Sequence, residues 1–252
     1  MLKFSHAGRF GDVLYSLYFA THYAHGQQFD LVLRTGVEAY DPSGRPHMME
    51  VEDAEWMTSL LKAQPYIHDV SIARTRGELP FDRVRLDVFR RNMARVCKME
   101  IRTWYYDRGR VPIGELFRQV LSVPSVEQTD RIAVCFTPRY RQAFDLSPLK
   151  QYQRKLVFVG LQAEHEAFCR DVMPCDYKPC SNALEMLSFM ASCRGFIGNV
   201  SGVFAMAECS KIPRILCVAP DHGNVRVYGN GYEANTSNEL EMNLSQLLGG
   251  NK

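Results

Sequence analysis

The sequence predicts an α/β protein built from two doubly wound halves, and three observations predict it. Between Leu2 and Val88 short apolar runs alternate with amphipathic stretches in βαβαβ order. The alternation starts afresh at Arg131. Near the end, Gly195 to Pro220 (GFIGNVSGVFAMAECSKIPRILCVAP) reads as strand, loop, helix and strand in succession. Strands that alternate with helices imply parallel sheets covered by helices, joined by right-handed connections.

The first half begins with a strand at Leu2–Ser5, a loop at His6–Asp12 carrying Gly8 and Gly11, and an amphipathic helix at Val13–Ala24. Glycines let such a loop turn tightly and approach a ligand closely. Asp12 stands where the helix begins, at the carboxyl edge of the strand, which is where open α/β sheets hold ligands. A helix-capping carboxylate explains the same position equally well. A strand follows at Phe29–Arg34, a helix at Val51–Gln64 with Trp56, Leu60 and Leu61 on its buried side, and strands at Tyr66–Ala73 and Phe81–Val88.

Leu121–Asp130 is polar, contains Pro124 and lacks periodicity, so it divides the chain into domains expected at 1–127 and 128–252. The second half opens on a strand at Arg131–Phe136, whose exit, Thr137–Arg141, carries Arg139 and Arg141. A strand at Leu156–Gly160, helices starting at Glu164 and Leu184, the Gly195–Pro220 unit and a helix at Asn238–Leu248 complete it. Within that unit Gly198, Asn199, Ser201 and Gly202 form a turn of small residues opening into a helix. Amide N–H groups and the positive helix end meet there, which suits a phosphate. Ser201 can cap the helix or bond the same anion. A plain strand-to-helix turn is the simpler alternative.

Bulk properties exclude little. A chain of 252 residues holds one large domain or two small ones, and a formal charge of +2 selects no partner class. No apolar run approaches membrane-spanning length and no cleavable signal pattern is visible, so a cytoplasmic location is expected. The eight cysteines show no CxxC spacing and the seven histidines no ligand signature. Reduced core thiols, and no metal in the site, are the expectation. Between Arg74 and Arg110 eleven basic residues face five acidic ones, with Trp104, Tyr105 and Tyr106 among them. Nucleic acid is a possible partner for such a run; a solvated helix face is preferred.

Five stretches in order resemble one family. They are the Gly11-Asp12-Val13-Leu14 helix start, the Leu60–Ile72 run, the Arg139/Arg141 loop, Val157–Phe168 (VFVGLQAEHEAF) and Gly195–Pro220. Together they are similar to the ADP-heptose lipopolysaccharide heptosyltransferases, glycosyltransferase family 9, of GT-B fold. The resemblance implies two Rossmann-like domains with parallel sheets facing across a cleft. The acceptor would sit mainly on the first domain and a nucleotide sugar mainly on the second. It implies Asp12 as the base for the acceptor hydroxyl. For the nucleotide sugar it implies Arg139, Arg141, Gly11, Gly160, Asn199, Ser201 and Gly202, with Glu166 on the ribose. It implies an inverting, metal-independent transferase without a cofactor, taking a nucleoside-diphosphate sugar as donor and a glycan, protein or modified-DNA hydroxyl as acceptor.

Two positions depart from the family pattern. Val200 stands where the family has an aspartate, and Ala205 where it has a histidine. They support an alternative, a GT-B-like shell that binds a nucleotide or sugar nucleotide without turnover. A dinucleotide oxidoreductase is disfavoured: the His6–Gly11 loop lacks a full GxGxxG, and Arg34 ends the second strand where a ribose-binding acid would be needed.

Overall fold

The computed structural model describes residues 1–36, 49–75, 78, 83–87, 111–138, 145–218 and 225–249. The chain separates into two compact units, Met1–Ser122 with Asn182–Leu184, and Val123–Ser181 with Glu185–Lys252.

The first unit carries β1 (Leu2–His6), α1 (Phe10–Tyr23), β2 (Phe29–Arg34), α2 (Val51–Lys62), β3 (Ile67–Ala73) and β4 (Arg83–Arg85). Its four strands are parallel in the order β3-β2-β1-β4. Leu2 pairs with Phe29 and Lys3 with Arg83, which puts the carboxyl ends of β1, β2 and β4 side by side. Phe4 on β1 meets Phe29 edge to face at 4.9 Å, and both are fully buried. Each such ring contributes about 1.5–3 kcal/mol by leaving water. Buried residues run almost all the way round α1, from Asp12 through Tyr18.

The second unit carries β5 (Ile132–Cys135), β6 (Leu156–Phe158), α3 (Gln162–Asp171), β7 (Asp176–Tyr177), α4 (Ala183–Ser192), β8 (Phe196–Gly198), α5 (Gly202–Ser210), β9 (Arg214–Cys217), β10 (Gly231–Ala234) and α6 (Ser237–Gly249). The strands are all parallel in the order β10-β9-β8-β5-β6-β7. The chain therefore winds outward from β5 to one edge, returns to β8 beside β5, and winds to the other edge. A crevice forms at the carboxyl ends of the two strands where the direction reverses.

An ionic knot fastens α5 to β9. Arg214 is fully buried and its Nε donates to Glu208 Oε2 at 2.6 Å, while Lys211 Nζ bonds Glu208 Oε1 at 2.6 Å. The other guanidinium nitrogens donate to Ile212 O, Asn230 Oδ1 and Tyr228 O, so the buried charge is fully partnered. Lys211 ends the helix in the left-handed conformation.

The structure corrects several boundaries. α1 begins at Phe10, so Gly11 and Asp12 lie in its first turn and not in a loop. Arg9 is extended and its carbonyl accepts from the Asp12 amide at 2.9 Å, which starts the helix earlier. β7 and β10 are too short and too polar to read as strands in sequence; they form as edge strands on β6 and β9. Of the Phe81–Val88 strand, Arg83–Arg85 is seen, and residues 81, 82 and 88 lie outside the described residues. Most of the basic, aromatic run, including 88–110, also lies outside them. Among the described residues no cysteine is in a disulfide. Burial, and then the neighbouring Cys169, push the Cys175 thiol up to about 12, so it is protonated at neutral pH.

Candidate functional site

Each unit gathers polar groups at the carboxyl edge of its sheet. In the first, β1 ends on His6, β2 on Arg34 and β4 on Arg85, and Asp87 follows two residues later. Asp87 accepts a forked pair of bonds from Arg85, at 3.0 and 3.4 Å, and stands 3.6 Å from Arg34 Nη1. Its side chain and that of Arg34 are almost wholly buried. Burial is the largest single influence on Asp87 and raises it. The Arg85 hydrogen bond and the charges of His6, Arg85 and Arg34 outweigh that, leaving its carboxyl below the usual range.

Asp12 joins this cluster from α1. The Gly8 amide donates to His6 Nδ1 at 2.8 Å, which leaves the ring proton of a neutral imidazole on Nε2. A side chain on Gly8 would lie 2.6 Å from His6 Cε1 and 3.1 Å from Asp12 Oδ2, so glycine keeps the space between imidazole and carboxylate open. Asp12 is buried and sits two residues inside the helix, with Arg9 in the capping position. A carboxylate there can take a proton from a hydroxyl delivered to the sheet edge.

The second cluster lies at the β5–β8 reversal. The Asn199 carboxamide faces the Thr137 backbone, with Thr137 N donating to Oδ1 at 2.9 Å and Nδ2 donating to Thr137 O at 2.8 Å. The Asn199 amide also bonds Cys135 O at 3.3 Å. Gly198 makes this approach possible, because a Cβ there would stand 2.4 Å from Cys135 O. Ser201 caps α5, its Oγ accepting from Phe204 N at 3.0 Å, and its carbonyl takes the Ala205 amide. The amides of Gly202 and Val203, one step earlier, have no carbonyl within the helix to bond. They and the helix dipole form a mouth for an anion.

Gly160 leaves β6 with φ +137°, a conformation open to glycine, and its carbonyl accepts from the Tyr177 hydroxyl at 3.0 Å. The acid beside it is Glu164. Its Oε2 lies 3.3 Å from the Gly160 Cβ position and accepts from Leu161 N at 3.4 Å. Glu166, two residues on and hence on the opposite side of the helix, is exposed and bonds Gln162 Nε2 at 2.9 Å. Burial drives the Cys135 thiol between these strands strongly upward, with the Glu164 charge adding to it, so it is inert at neutral pH.

The structure thus brings Asn199, Ser201, Gly202 and Gly160 to one edge of the second unit, and Gly11 and Asp12 to the corresponding edge of the first. Arg139 and Arg141 lie outside the described residues. His6, Arg34, Asp87, Thr137 and Glu164 were not among the site residues expected from the sequence. The first four stand at or just after strand ends and Glu164 in the first turn of α3, but only the parallel registers show that these strand ends converge. Among the described residues, the one group of histidine and cysteine close enough to share an ion lies elsewhere, at His165, Cys169 and Cys175. A 260 Å³ depression bordered by Lys155 and Arg194 opens at the amino-terminal end of the second sheet, where both cations pair with Asp130.

No protein-family model matches the chain, and no curated protein does. Solved structures share its fold. The E. coli heptosyltransferase WaaC with ADP superposes with a TM-score of 0.55 at 10% identity, over 98% of this chain and 100% of that one. A glycosyl transferase family 9 structure from Veillonella parvula DSM 2008 superposes with a TM-score of 0.55 at 12% identity, over 98% and 97%. The chain has the GT-B-like α/β fold of these proteins, with two parallel sheets flanked by helices.

Proposed function

We propose that the protein is a glycosyltransferase that moves a sugar from a nucleoside-diphosphate sugar to a hydroxyl acceptor, with inversion and without a metal in the transfer step. The observation that carries this reading is the match of nearly the whole chain to the fold of the E. coli heptosyltransferase WaaC, solved with ADP. The second unit binds the donor. Its diphosphate lies at the mouth of α5, against the Gly202 and Val203 amides, with Arg139 and Arg141 supplying charge from the β5 exit. The nucleoside lies towards Gly160, with Glu164 or Glu166 on its ribose. These groups hold the negative charge that the leaving diphosphate develops, a role that needs no ion.

The first unit receives the acceptor, and Asp12 takes the proton of the attacking hydroxyl. The hydroxyl oxygen forms the new bond to the anomeric carbon as the bond to the diphosphate oxygen breaks. A single displacement of this kind inverts the anomeric centre. His6 and the Arg34–Asp87–Arg85 group fix the electrostatics around Asp12. The acceptor is a glycan, a protein side chain or a modified base, and the compartment is cytoplasmic; no helix among the described residues is long and apolar enough to cross a membrane.

A second reading is a donor-binding shell without turnover. It is favoured by Val200 and Ala205, both buried and apolar where the resembling family carries an acid and a histidine. Purified protein incubated with a panel of nucleoside-diphosphate sugars separates the two. Release of nucleoside diphosphate, by transfer or by slow hydrolysis, supports the enzyme. A donor-dependent rise in Tm with no release under any condition supports the shell. Neither binding nor release removes both.

A further inference from the structure

We propose that His165, Cys169 and Cys175 form a structural site for one thiophilic divalent cation of the zinc class, on the flank of the second unit. This proposal is independent of the transferase reading. The three residues offer Nε2 and two Sγ atoms that all lie within 4.8 Å of one another. Cys169 Sγ is already 3.1 Å from His165 Nε2. Around a tetrahedral zinc ion, bonds of about 2.0–2.3 Å place such donor atoms roughly 3.3–3.8 Å apart, so the His165–Cys169 pair opens by a few tenths of an ångström and the longer separations close by up to about 1 Å.

The fold prepares the cluster from two directions. His165 and Cys169 are four residues apart on α3 and share one face of it. Cys175 follows the end of the helix and is carried back by β7, whose Asp176 pairs with Val157 on β6. The imidazole is held between two rings. Tyr177 stacks on it at 4.9 Å and 17°, and Phe158 leans on it at 5.6 Å and 52°. Tyr177 is fixed in turn by its hydroxyl bond to Gly160 O. A ligand ring clamped in this way loses little freedom on binding, which favours the bound form.

The donor set identifies the ion class. Two sulfurs and one imidazole select zinc, cobalt(II) or iron(II) over magnesium or calcium, which require oxygen. Three protein ligands leave a fourth position for water. Binding exchanges two thiol protons for one divalent ion, and the protons pass to solvent. Nε2 must also release the Cys175 carbonyl oxygen, which it bonds at 3.0 Å, with the ring proton moving to Nδ1. The bound ion would pin the last turn of α3 to β7, and the reacting groups of the proposed transfer do not include it.

The test is cobalt(II) titration of the reduced, chelator-treated protein. One equivalent should produce thiolate-to-cobalt charge-transfer absorption and the intensified visible bands of a four-coordinate ion, and zinc should displace both. Cys169→Ser and Cys175→Ser should abolish the charge-transfer signal or reduce it severalfold, His165→Gln should weaken binding, and Cys180→Ser should leave the signal intact. Should a serine variant fail to fold, wild-type alkylation decides. Zinc at ten times its Kd should slow iodoacetamide modification of Cys169 and Cys175 by about tenfold, with Cys180 unaffected. Absence of the cobalt signal in the reduced wild type overturns the site. So does an undiminished signal in a folded Cys169→Ser variant. Quantitative formation of a Cys169–Cys175 disulfide in air by a protein that takes up no ion when reduced also overturns it, in favour of a redox pair.

Discussion

Asn199 and Thr137 hold each other by two opposed hydrogen bonds, 2.8 and 2.9 Å long, across the point where the second sheet reverses direction. Only one orientation of the carboxamide satisfies both the N–H and the C=O of Thr137, so the pair is selective for asparagine. It sets the distance between the β5 exit, which leads to Arg139 and Arg141, and the start of α5. Asn199→Ala strips one half-buried donor and one half-buried acceptor of partners and should cost about 1–3 kcal/mol. In a chain of this size that is roughly 3–10 °C in Tm. Asn199→Asp should do at least as much harm, because a carboxylate oxygen would then oppose Thr137 O. Both variants should weaken nucleoside-diphosphate binding, measured by calorimetry. Unaltered stability and binding would make the clasp incidental.

Asp12→Asn separates chemistry from folding. The capping position belongs to Arg9, and asparagine nearly matches aspartate in volume, so Tm should move by about 2 °C or less. Donor affinity should persist, since the proposed diphosphate site is on the other unit. Transfer rate should fall by about two to four orders of magnitude, the usual share of a positioned base. A variant that keeps its rate and loses stability would show that Asp12 serves the helix.

The ribose acid is decided by comparing Glu164→Gln with Glu166→Gln. Glu164 borders Gly160 and Cys135, whereas Glu166 is exposed and bonds Gln162 along its own helix. Glu164→Gln should weaken nucleoside-diphosphate binding by about 10- to 150-fold, the equivalent of one charged hydrogen bond, and Glu166→Gln by less than twofold. The reverse order would return the role to Glu166.

Asp87 gives the first unit an acid limit. Its carboxyl lies below its ordinary value, so the unfolded chain binds its proton more readily than the folded one. The stability it contributes is therefore complete above the ordinary carboxylate value and is lost as pH falls through the lowered one. Asp87→Asn should remove that part of the pH dependence and flatten the fall of denaturant midpoints on the acid side of the ordinary carboxylate range. Asp87→Ala leaves Arg34 buried beside a lost partner and should cost roughly 3–5 kcal/mol at neutral pH. An Asp87→Asn profile parallel to wild type would show that other carboxylates set the limit.

The sequence by itself determined the alternation of strands and helices, the fresh start at Arg131 and the small-residue turn from Gly198 to Gly202. Local periodicity and glycine chemistry write these directly into the chain. The places of Gly11, Asp12, Gly160, Asn199, Ser201 and Gly202, just after a strand or at the start of a helix, were legible for the same reason. The tertiary structure alone decided which strand ends meet. Parallel pairing carries Arg85 and Asp87 to Arg34 and His6, and Thr137 to Asn199, across separations that no local pattern encodes. It also decided direction: Glu164 and Glu166 look equivalent in sequence, but two residues along a helix turn one towards Gly160 and the other to solvent. His165, Cys169 and Cys175 have no recognisable spacing, because the second cysteine is returned by a two-residue edge strand that forms only on an existing sheet.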